Sequence, residues 1–445
     1  MNTPPYFKQI HRIALPMMAA SVSVPLLGVV DTAILGHLDS SAYLAAVNIG
    51  VTAMNMLIWG FGFLRMSTVG LVAQASGENN AILKAEHLAR ALAVALMLGI
   101  VVVSSQFLWL PALLWLLADG GHSEQLARSY LEIRLWSVPF HLLLFVINGY
   151  LLAVDRARLV LLLTLISQVG NMVLDYLLVM VFHLDVRGVA WGSLISQAVA
   201  ACVGLRWMVS HGYLTTTLWQ RRRQWWQQSH LKALFNLNSD VFIRTLCLMT
   251  VFALMTRYSA EQGALILAVN AVLLNFFYFT SYALDGYAHA IESISGRLYG
   301  QKDWSALSLA VHSVFKVSAV VAIVMSLVFV LSGTGIVHLL TDLTAIRETA
   351  GHYLFWVYLL PVAAMLGFIY DGLCVGITAS KVMRNAMLVA TFLGFLPVWY
   401  GSQLILPTVN DNHRLWAAFT LFFIIRGLMM HWLLRRNSGY AVTKI

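Results

Sequence analysis

The sequence predicts an all-α polytopic membrane protein whose twelve transmembrane helices form two pseudo-symmetric six-helix bundles. Three observations predict this fold class: an apolar composition, a series of apolar runs long enough to cross a bilayer, and a weak internal repeat. The 445 residues are 60% hydrophobic and 11% charged, whereas a soluble domain is usually about 45–50% apolar and about 25% charged. Such a chain has too few polar residues to cover a water-exposed surface, so we expect most of its surface to face lipid.

The chain carries an excess of positive charge, +9 from 28 Lys and Arg against 19 Asp and Glu. These basic residues occupy short links between apolar runs, as in membrane loops, whereas nucleic-acid-binding domains cluster them with aromatic residues. We therefore expect no nucleic-acid partner. The three cysteines, Cys202, Cys247 and Cys374, lie in separate apolar segments, which indicates small core residues rather than a disulfide framework or a metal site.

A membrane-spanning helix needs about 20 mostly apolar residues, and twelve segments meet that requirement. They are long and do not alternate in polarity, which predicts helices rather than barrel strands. The first is also too long for the apolar core of a signal peptide, about 7–15 residues. The predicted spans are residues 10–36, 43–73, 87–117, 126–152, 159–182, 188–210, 231–256, 264–296, 306–340, 347–375, 385–406 and 414–434.

Lys and Arg are unequally distributed between the two sides of the predicted bundle. With the N-terminus inside, the inner loops and tails carry 18 of the 28 basic residues and the outer loops carry five. This asymmetry predicts that both termini are cytoplasmic. The longest polar link starts at residue 214 and places Arg beside Trp, a composition suited to a membrane surface. We interpret the chain as an N-terminal lobe (1–213), a cytoplasmic linker (214–230) and a C-terminal lobe (231–445).

The two lobes contain similar residues at a constant offset. GENN at 77–80 follows the second span and GQKD at 300–303 follows the eighth, an offset of 300 − 77 = 223. Because six helices per repeat is an even number, both halves have the same orientation, and the repeat is parallel. The same offset relates Tyr130 to Tyr353, Phe145 to Phe368, Gly149 to Gly372 and Arg158 to Lys381.

No enzyme signature is present in the sequence. It contains no GxSxG elbow, no HExxH and no phosphate-binding Walker A loop, and no appended soluble domain that would hydrolyse ATP. A membrane-embedded enzyme such as an acyltransferase would need a nucleophile with catalytic groups converging on it, or a His–acid dyad. The sequence shows no convincing example of either. We therefore expect a transporter, driven by an ion gradient or passive, and not an enzyme.

Asp31 interrupts the apolar first span in VVDTAILGHLD. A charge inside a membrane costs at least about 2–3 kcal/mol, so an acid there is by default a functional hypothesis. Pro16 and Pro25 precede it, and each removes a backbone hydrogen bond and favours a kink. A helix that is weakened near a buried acid can change shape when that acid changes charge. The alternative is a neutral Asp that bonds a neighbouring helix as structural glue.

The fifth span carries a polar stripe in which Thr164, Gln168, Asn171 and Asp175 recur at helical spacing. Such a stripe should face a cavity or another polar helix. Two carboxylates together with amide and hydroxyl oxygens suit either a small hard cation or a shared proton. The alternative is an interhelical hydrogen-bond network. Further oxygens are available from Asn148 on the fourth span and from Ser193 and Ser196 on the sixth.

Two other charged pairs have an ordinary interpretation. Asp240 and Arg244 stand four residues apart on the seventh span, which predicts a structural ion pair. Glu132 and Arg134 lie near the outer boundary of the fourth span, where we expect normal solvation.

The C-terminal half has its own candidate cavity residues. Asp285, His289 and Glu292 fall on one face of the eighth span, and Asp371 on the tenth is the repeat mate of Asn148. We expect these side chains to line a C-terminal cavity. The alternative for Asp285 and Glu292 is solvation at the cytoplasmic end of the span.

The twelve spans in two repeats, the segment VPLLGVVDTAILGHLD and the segment FLRMSTVGLVAQASG resemble the MATE family of multidrug exporters. Within that family they resemble the branch of the DNA-damage-inducible protein F. The resemblance covers essentially the whole chain. It implies export of bulky, often cationic amphipathic drugs or toxins in exchange for H+ or Na+, by an expected monomer without a cofactor in the bacterial inner membrane.

The resemblance also implies where the ion acts. In this branch an N-terminal polar cluster is linked to the ion, and neutralising the acid on the first helix bends that helix and collapses the drug cavity. Na+ is the alternative to H+ and would use Asp31, Asn171 and Asp175. The matching positions are Asp31 on the first helix, Asn148 on the fourth, Asn171 and Asp175 on the fifth, and Ser193, where threonine is commoner, on the sixth.

Two alternative transport functions stay open. The other bacterial branch places its cation in the C-terminal lobe, where Asp371 matches the acid of the tenth span, but the seventh span lacks a mid-membrane acid. A lipid-linked oligosaccharide flippase shares the architecture but has a more cationic cavity, and Arg65 and Arg244 are the main mid-membrane cations here. A passive channel is disfavoured by the two-lobe repeat.

Overall fold

A computed structural model describes residues 6–35, 41–117, 121–214, 228–405 and 408–436. These residues are almost entirely helical, and none of them forms a strand. Within them, twelve helical segments are long and apolar enough to cross a membrane. Many large apolar side chains point outward, with Leu331, Leu339 and Leu404 between 76% and 86% exposed. Apolar surface on this scale is expected where the solvent is lipid, so the chain is a multi-pass membrane protein.

The twelve predicted spans are confirmed, and their ends shift by a few residues except at the end of span 3 and the start of span 10. They are Phe7–Leu35 (span 1), Ala42–Gly77 (span 2), Ala81–Ser104 (span 3), His122–Ala153 (span 4), Ala157–Val181 (span 5), Asp185–Ser210 (span 6), Phe235–Glu261 (span 7), Ala264–Gln301 (span 8), Trp304–Leu340 (span 9), Leu354–Gly376 (span 10), Ser380–Ile405 (span 11) and Asp411–Arg436 (span 12).

Three predicted spans are divided in the structure, and the second span is divided at Phe61 and Gly62, between the helices Ser41–Gly60 and Phe63–Gly77. The third ends at Ser104, and a separate helix, Gln106–Leu117, follows it. Between them the Ser105 hydroxyl donates to the Val101 carbonyl at 2.7 Å and competes with the helix ladder. The tenth begins only at Leu354, after a short helix Thr344–Gly351. Hydropathy does not detect the break after Ser104, because mostly apolar residues flank it, whereas the short helix Thr344–Gly351 is polar and contains Arg347 and Glu348.

Irregular turns lie inside spans 4 and 5. In span 4, the helix His122–Arg134 passes through a 3-10 turn, Leu135–Ser137, into Val138–Ala153. Pro139 follows that turn at the start of the next helix, where its missing N–H is not needed. Span 5 changes from α-helix to a π-helical turn at Tyr176–Val181. Such turns redirect side chains and are frequent at functional sites.

The chain packs as two compact units. The N unit is Ala19–Asn238, and the C unit is Met1–Met18 with Ser239–Ile445. The lobe boundaries inferred from the sequence stay a prediction, and most of the inferred linker lies outside the described residues. One difference concerns span 1, whose first part groups with the C unit. There, Gly286 lets span 1 approach, because a Cβ at this position would lie 2.8 Å from the Ala14 carbonyl oxygen.

The backbone repeats between the two halves at the predicted offset of 223 residues. Asn79 and Lys302 both adopt a left-handed conformation, with φ of 53° and 59°. The next residues, Asn80 and Asp303, both cap the following helix, and their side chains accept from a backbone N–H at 2.9 and 3.0 Å. These turns follow spans 2 and 8, where the GENN and GQKD segments indicated the repeat.

A close helix crossing also repeats. A Cβ added at Gly149 of span 4 would lie 2.7 Å from the Arg65 carbonyl oxygen of span 2. A Cβ added at Gly372 of span 10 would likewise meet the Ala288 carbonyl oxygen of span 8. Both members of each contact are related by the offset of 223, since 65 + 223 = 288. The glycines that the sequence pairs are therefore the residues that allow these helices to touch.

Candidate functional site

Asp31 and Asp175 form the centre of a polar cluster in the N unit. Asp175 at the end of the α-helical part of span 5 is 0% exposed, and Asp31 on span 1 is half-buried. Their carboxyl groups lie within hydrogen-bonding reach of each other. Asp31 Oδ1 and Asp175 Oδ2 are both buried, and neither accepts a hydrogen bond from the described residues. Since a carboxylate oxygen only accepts, two neighbouring buried carboxylates need a proton or a cation between them.

The Asn171 amide ties Asp175 to span 6. Its Nδ2 donates to Asp175 Oδ1 at 3.0 Å and to Ser193 Oγ at 3.2 Å. Asn171 is one turn before Asp175 on the same helix, as the polar stripe predicts. The structure therefore brings four of the five predicted ion-coupling residues into one cluster: Asp31, Asn171, Asp175 and Ser193.

A glycine makes room for the Asp175 carboxylate. A Cβ added at Gly192 of span 6 would overlap Asp175 Oδ1. A Cβ added at Gly188 would likewise lie 3.0 Å from Val179 and 3.1 Å from Leu178, which belong to the π-helical turn after Asp175. Gly192 thus lets span 6 approach Asp175, and Gly188 lets it approach the π-helical turn of span 5.

Arg134 belongs to this cluster, although the sequence predicted ordinary solvation for it. The prediction was wrong because the 3-10 turn after Arg134 holds its side chain inward, half-buried. Its Nη1 donates to Ser137 Oγ and, at 3.2 Å, to Gln197 Oε1 of span 6. The guanidinium interacts electrostatically with both Asp31 and Asp175. Glu132, two residues earlier, is exposed as expected.

Two titratable side chains of span 4 complete the surroundings. The Tyr130 ring is buried against Gly50 of span 2, and its hydroxyl lies within reach of Arg134. His141 is near Arg134 and Gln197, and its ring packs edge-on against Phe145 with centroids 4.9 Å apart. The sequence predicted neither Tyr130, noted there only as the repeat mate of Tyr353, nor His141 as a site residue.

Three other predicted polar residues make no hydrogen bond to the two acids within the described part of the chain. Asn148 Oδ1 is buried and accepts no hydrogen bond from the described residues, and no contact found among them joins it to Asp31 or Asp175. Thr164 Oγ1 donates to the Val160 carbonyl of its own helix at 2.9 Å. Ser196 Oγ donates to the Ser193 carbonyl at 3.1 Å.

Pro16 and Pro25 lie within one continuous helix, Phe7–Leu35. The division between the two units falls after Met18, so the prolines are on opposite sides of that point along the chain. The proposed hinge at these prolines stays a prediction.

The C unit contains a second charged network, built differently from the predicted one. Asp371 on span 10 accepts from Arg244 on span 7 and forms an ion pair with Arg426 on span 12. The expected partner of Arg244, Asp240, pairs with Arg384 at 2.6 Å and Ser380 at 2.8 Å on span 11. A spacing of four residues predicts ion pairs only within one helix. The observed partners of Asp240 and Arg244 lie on other helices, more than a hundred residues away in sequence.

Arg426 is the most deeply buried cation of this network. Its side chain is 2% exposed, that of Asp371 is 8% exposed, and its guanidinium lies 5.6 Å from the centroid of the Phe368 ring. Asp285 contributes an attractive charge to Arg426 and accepts from Ser281 at 3.0 Å. The acid of the tenth span is thus already neutralised by tethered cations. Nothing in the sequence pattern singled out Arg426.

Two further predicted C-terminal residues, His289 and Glu292, are in contact. His289 Nδ1 lies 3.3 Å from Glu292 Oε2, and both side chains are largely buried. Among the residues that the structure describes, no three His, Cys, Asp or Glu side chains come together as in a metal site.

Comparisons with known proteins match nearly the entire chain. The MatE family model matches residues 16–177 and 241–400, two segments that begin 241 − 16 = 225 residues apart, close to the repeat offset. The chain is 38% identical over 442 residues to the DNA damage-inducible protein F of Escherichia coli (strain K12), covering 98% of this chain and 94% of the relative. It is 20% identical over 400 residues to the multidrug export protein MepA of Staphylococcus aureus (strain NCTC 8325 / PS 47), covering 89% and 87%.

Solved structures show the same fold. An outward-facing conformation of a multidrug resistance MATE family transporter of the MOP superfamily has a TM-score of 0.87 at 19% identity, covering 98% of this chain and 97% of that one. A MATE structure in a bent conformation also gives a TM-score of 0.87, at 18% identity, covering 98% and 96%. At this identity the likeness concerns the fold alone.

Proposed function

The chain belongs to the MatE family of multidrug efflux transporters, and from this premise we propose that a proton shared by Asp31 and Asp175 drives export. One observation carries the proposal: two buried carboxyl oxygens, Asp31 Oδ1 and Asp175 Oδ2, belong to neighbouring acids and receive no donor from the described residues. Placing two like charges together is unfavourable unless a positive charge joins them. An ion from outside the protein can supply it.

The donor arrangement favours H+ over Na+ at this pair. The Asn171 amide already donates to Asp175 Oδ1 and Ser193 Oγ, so each of these oxygens has one lone pair fewer for a cation. The two carboxyl oxygens that remain suffice to share a proton. Hard cations such as Ca2+ and Mg2+ usually take about six or more oxygen ligands, which is more than the oxygens of the two carboxylates.

The transport cycle couples this proton to the shape of span 1. When Asp31 is ionised, the N-terminal cavity is open outward and accepts the drug. Protonation of Asp31 changes its partners, the helix bends near Pro16 and Pro25, and the shrinking cavity releases the drug to the outside. Coupling requires that drug and proton favour different conformations of one element, and span 1 is that element.

The proposed substrates are bulky, often cationic amphipathic compounds. The transporter acts as a monomer in the bacterial inner membrane, both termini are cytoplasmic, and no cofactor takes part. The concentration of Lys and Arg in the inner loops supports the orientation, and the names of the relatives support the substrate class.

Dye uptake into inverted membrane vesicles tests the coupling ion. A fluorescent cationic dye is offered while a pH gradient (acidic inside) and a Na+ gradient are imposed separately. We expect the pH gradient alone to drive accumulation of the dye. Accumulation driven by Na+ at a fixed, equal pH on both sides would contradict proton coupling.

A further inference from the structure

Arg134 places a fixed positive charge beside the two acids of the coupling cluster. The groups that face it are Asp31 from span 1, Asp175 from span 5, Gln197 from span 6, and Tyr130 and His141 from its own span. A guanidinium remains charged in proteins under ordinary conditions. It is therefore a permanent part of the charge balance at this site.

Two contacts hold the guanidinium in place. Nη1 donates to Gln197 Oε1 at 3.2 Å and to Ser137 Oγ, and the same Ser137 hydroxyl donates back to the Arg134 carbonyl at 2.7 Å. Ser137 ends the 3-10 turn Leu135–Ser137, so the backbone turn and the side chain support each other. The charge is tethered by the fold, unlike that of a mobile ion.

The charge count at the cluster has a direct consequence. Two carboxylates and one guanidinium fall one positive charge short of neutrality. A single proton completes the balance, whereas without Arg134 two positive charges would be needed. Each positive charge also lowers the attraction of the site for a further cation.

Arg134 also removes oxygen ligands from the cluster. Gln197 Oε1 and Ser137 Oγ both accept from its Nη1, as Asp175 Oδ1 and Ser193 Oγ accept from Asn171. Arg134 has five N–H donors and no acceptor, so it cannot itself bind a cation. Its N–H donors therefore compete with Na+ for the lone pairs of these oxygens.

We propose that Arg134 is the specificity-determining residue of the coupling site, a tethered counter-cation that restricts the acid pair to one proton and excludes Na+. The consequence for transport rests on the proposed function above. The binding property itself does not, because it follows from the charges and oxygens of the cluster. Arg134→Gln removes the charge and frees both oxygens, and Arg134→Lys keeps the charge.

The test measures Na+ binding to the purified full-length protein in detergent, as the shift in thermal unfolding with NaCl against equal choline chloride. Wild type and Arg134→Lys are expected to show no Na+-specific shift. Arg134→Gln is expected to bind Na+ about tenfold or more tightly than wild type. The double variant Arg134→Gln/Asp31→Asn should not show this gain in Na+ affinity. Arg128→Gln, an exposed arginine of the same span, is the matched control and should behave as wild type.

Two results would overturn the inference: a folded Arg134→Gln protein that does not respond to Na+, or a wild type that binds Na+ as tightly as this variant. Proton release from wild type on addition of NaCl provides a second measurement that needs no Arg134 variant. We expect none, and release that disappears in Asp31→Asn would contradict the inference. A failure of proton-driven dye uptake, in contrast, would contradict the proposed function. It would not affect the conclusion that Arg134 prevents Na+ binding.

Discussion

Asp31 Oδ1 and Asp175 Oδ2 are buried oxygens of two neighbouring carboxyl groups, and within the described part of the chain neither has a donor. An unsatisfied buried polar atom costs free energy, and natural proteins retain few of them. The structure keeps this pair and surrounds it with ordered partners, an amide from Asn171 and a guanidinium from Arg134. The gap between the oxygens is therefore best explained as the place of an exchangeable positive charge.

Gly192→Ala should disturb the pair without removing any of its polar groups. The added methyl would overlap Asp175 Oδ1, so the carboxylate or the helix must move, at a cost of about 1–3 kcal/mol. We expect a lower unfolding temperature together with impaired proton-driven dye uptake.

The matched control is Gly170→Ala on the facing helix. Its Cβ would meet Ser196 Cβ at 3.7 Å, an ordinary contact, and alanine favours helix by about 1 kcal/mol over glycine. This variant should be as stable as wild type or slightly more so. Equal effects from both substitutions would refute the steric role of Gly192.

Ser193→Thr and Ser193→Ala should separate the hydroxyl from the size of the side chain. Threonine keeps the hydroxyl that accepts from Asn171 at 3.2 Å, so dye uptake should stay close to that of wild type. Alanine removes one hydrogen bond, worth about 1 kcal/mol, and should weaken uptake several-fold. A Ser193→Ala protein with unimpaired uptake would show that this hydroxyl does not support the site.

Arg426→Met should destabilise the C unit strongly. It leaves the buried Asp371 with one fewer cation, and breaking a buried ion pair typically costs about 3–5 kcal/mol. Thermal unfolding in detergent measures the effect. Arg257→Gln removes an exposed pair with Glu261, whose side chain is 54% exposed, and should change little. Similar unfolding temperatures for the two variants would contradict the assigned burial of the network.

The helix cap at Asp303 should stabilise the fold in a pH-dependent way. The Ala306 backbone N–H, helped by the Ser305 hydroxyl, holds the pKa of Asp303 below its usual value. A lowered folded-state pKa gives stabilisation that is present above the unfolded value of about 3.9 and is lost as the pH falls through the folded value. Asp303→Asn should therefore unfold at a lower temperature than wild type at pH 7, and this difference should disappear in acid.

The repeat supplies a control for the cap. Asn80 occupies the equivalent cap in the other half and accepts from Leu83 N at 2.9 Å, but it carries no charge. The effect of Asn80→Ala on the unfolding temperature should not vary over the same pH range. Parallel pH dependence of the two caps would contradict the assignment to the Asp303 carboxylate.

Hydropathy and spacing predicted all twelve spans because both are local properties of the sequence. The offset of 223 residues could also be read from the sequence. In the structure it relates two turns with the same backbone conformation, at Asn79 and Lys302. Asp31, Asn171, Asp175 and Ser193 were found because a polar stripe on an apolar helix is conspicuous and because the segments around Asp31 resemble a known family.

The contacts of the arginines were not predictable in this way. Arg134 sits near a span boundary, where solvation is the usual expectation, and only the 3-10 turn and Gln197, 63 residues later, direct it inward. Arg244 has an acid four residues before it, yet the structure places Asp371 against it from 127 residues away. Such partners depend on how helices pack, which periodicity within one helix does not reveal.

Drug export by Asp31→Asn in inverted vesicles, measured across pH, tests the central claim most directly. Asp185→Asn, which changes an exposed acid at the start of span 6, is the matched control. The account predicts that wild type and Asp185→Asn accumulate dye against a gradient in a pH-dependent manner and that Asp31→Asn does not. Accumulation against a gradient by Asp31→Asn with unchanged pH dependence would show that Asp31 is not the coupling group.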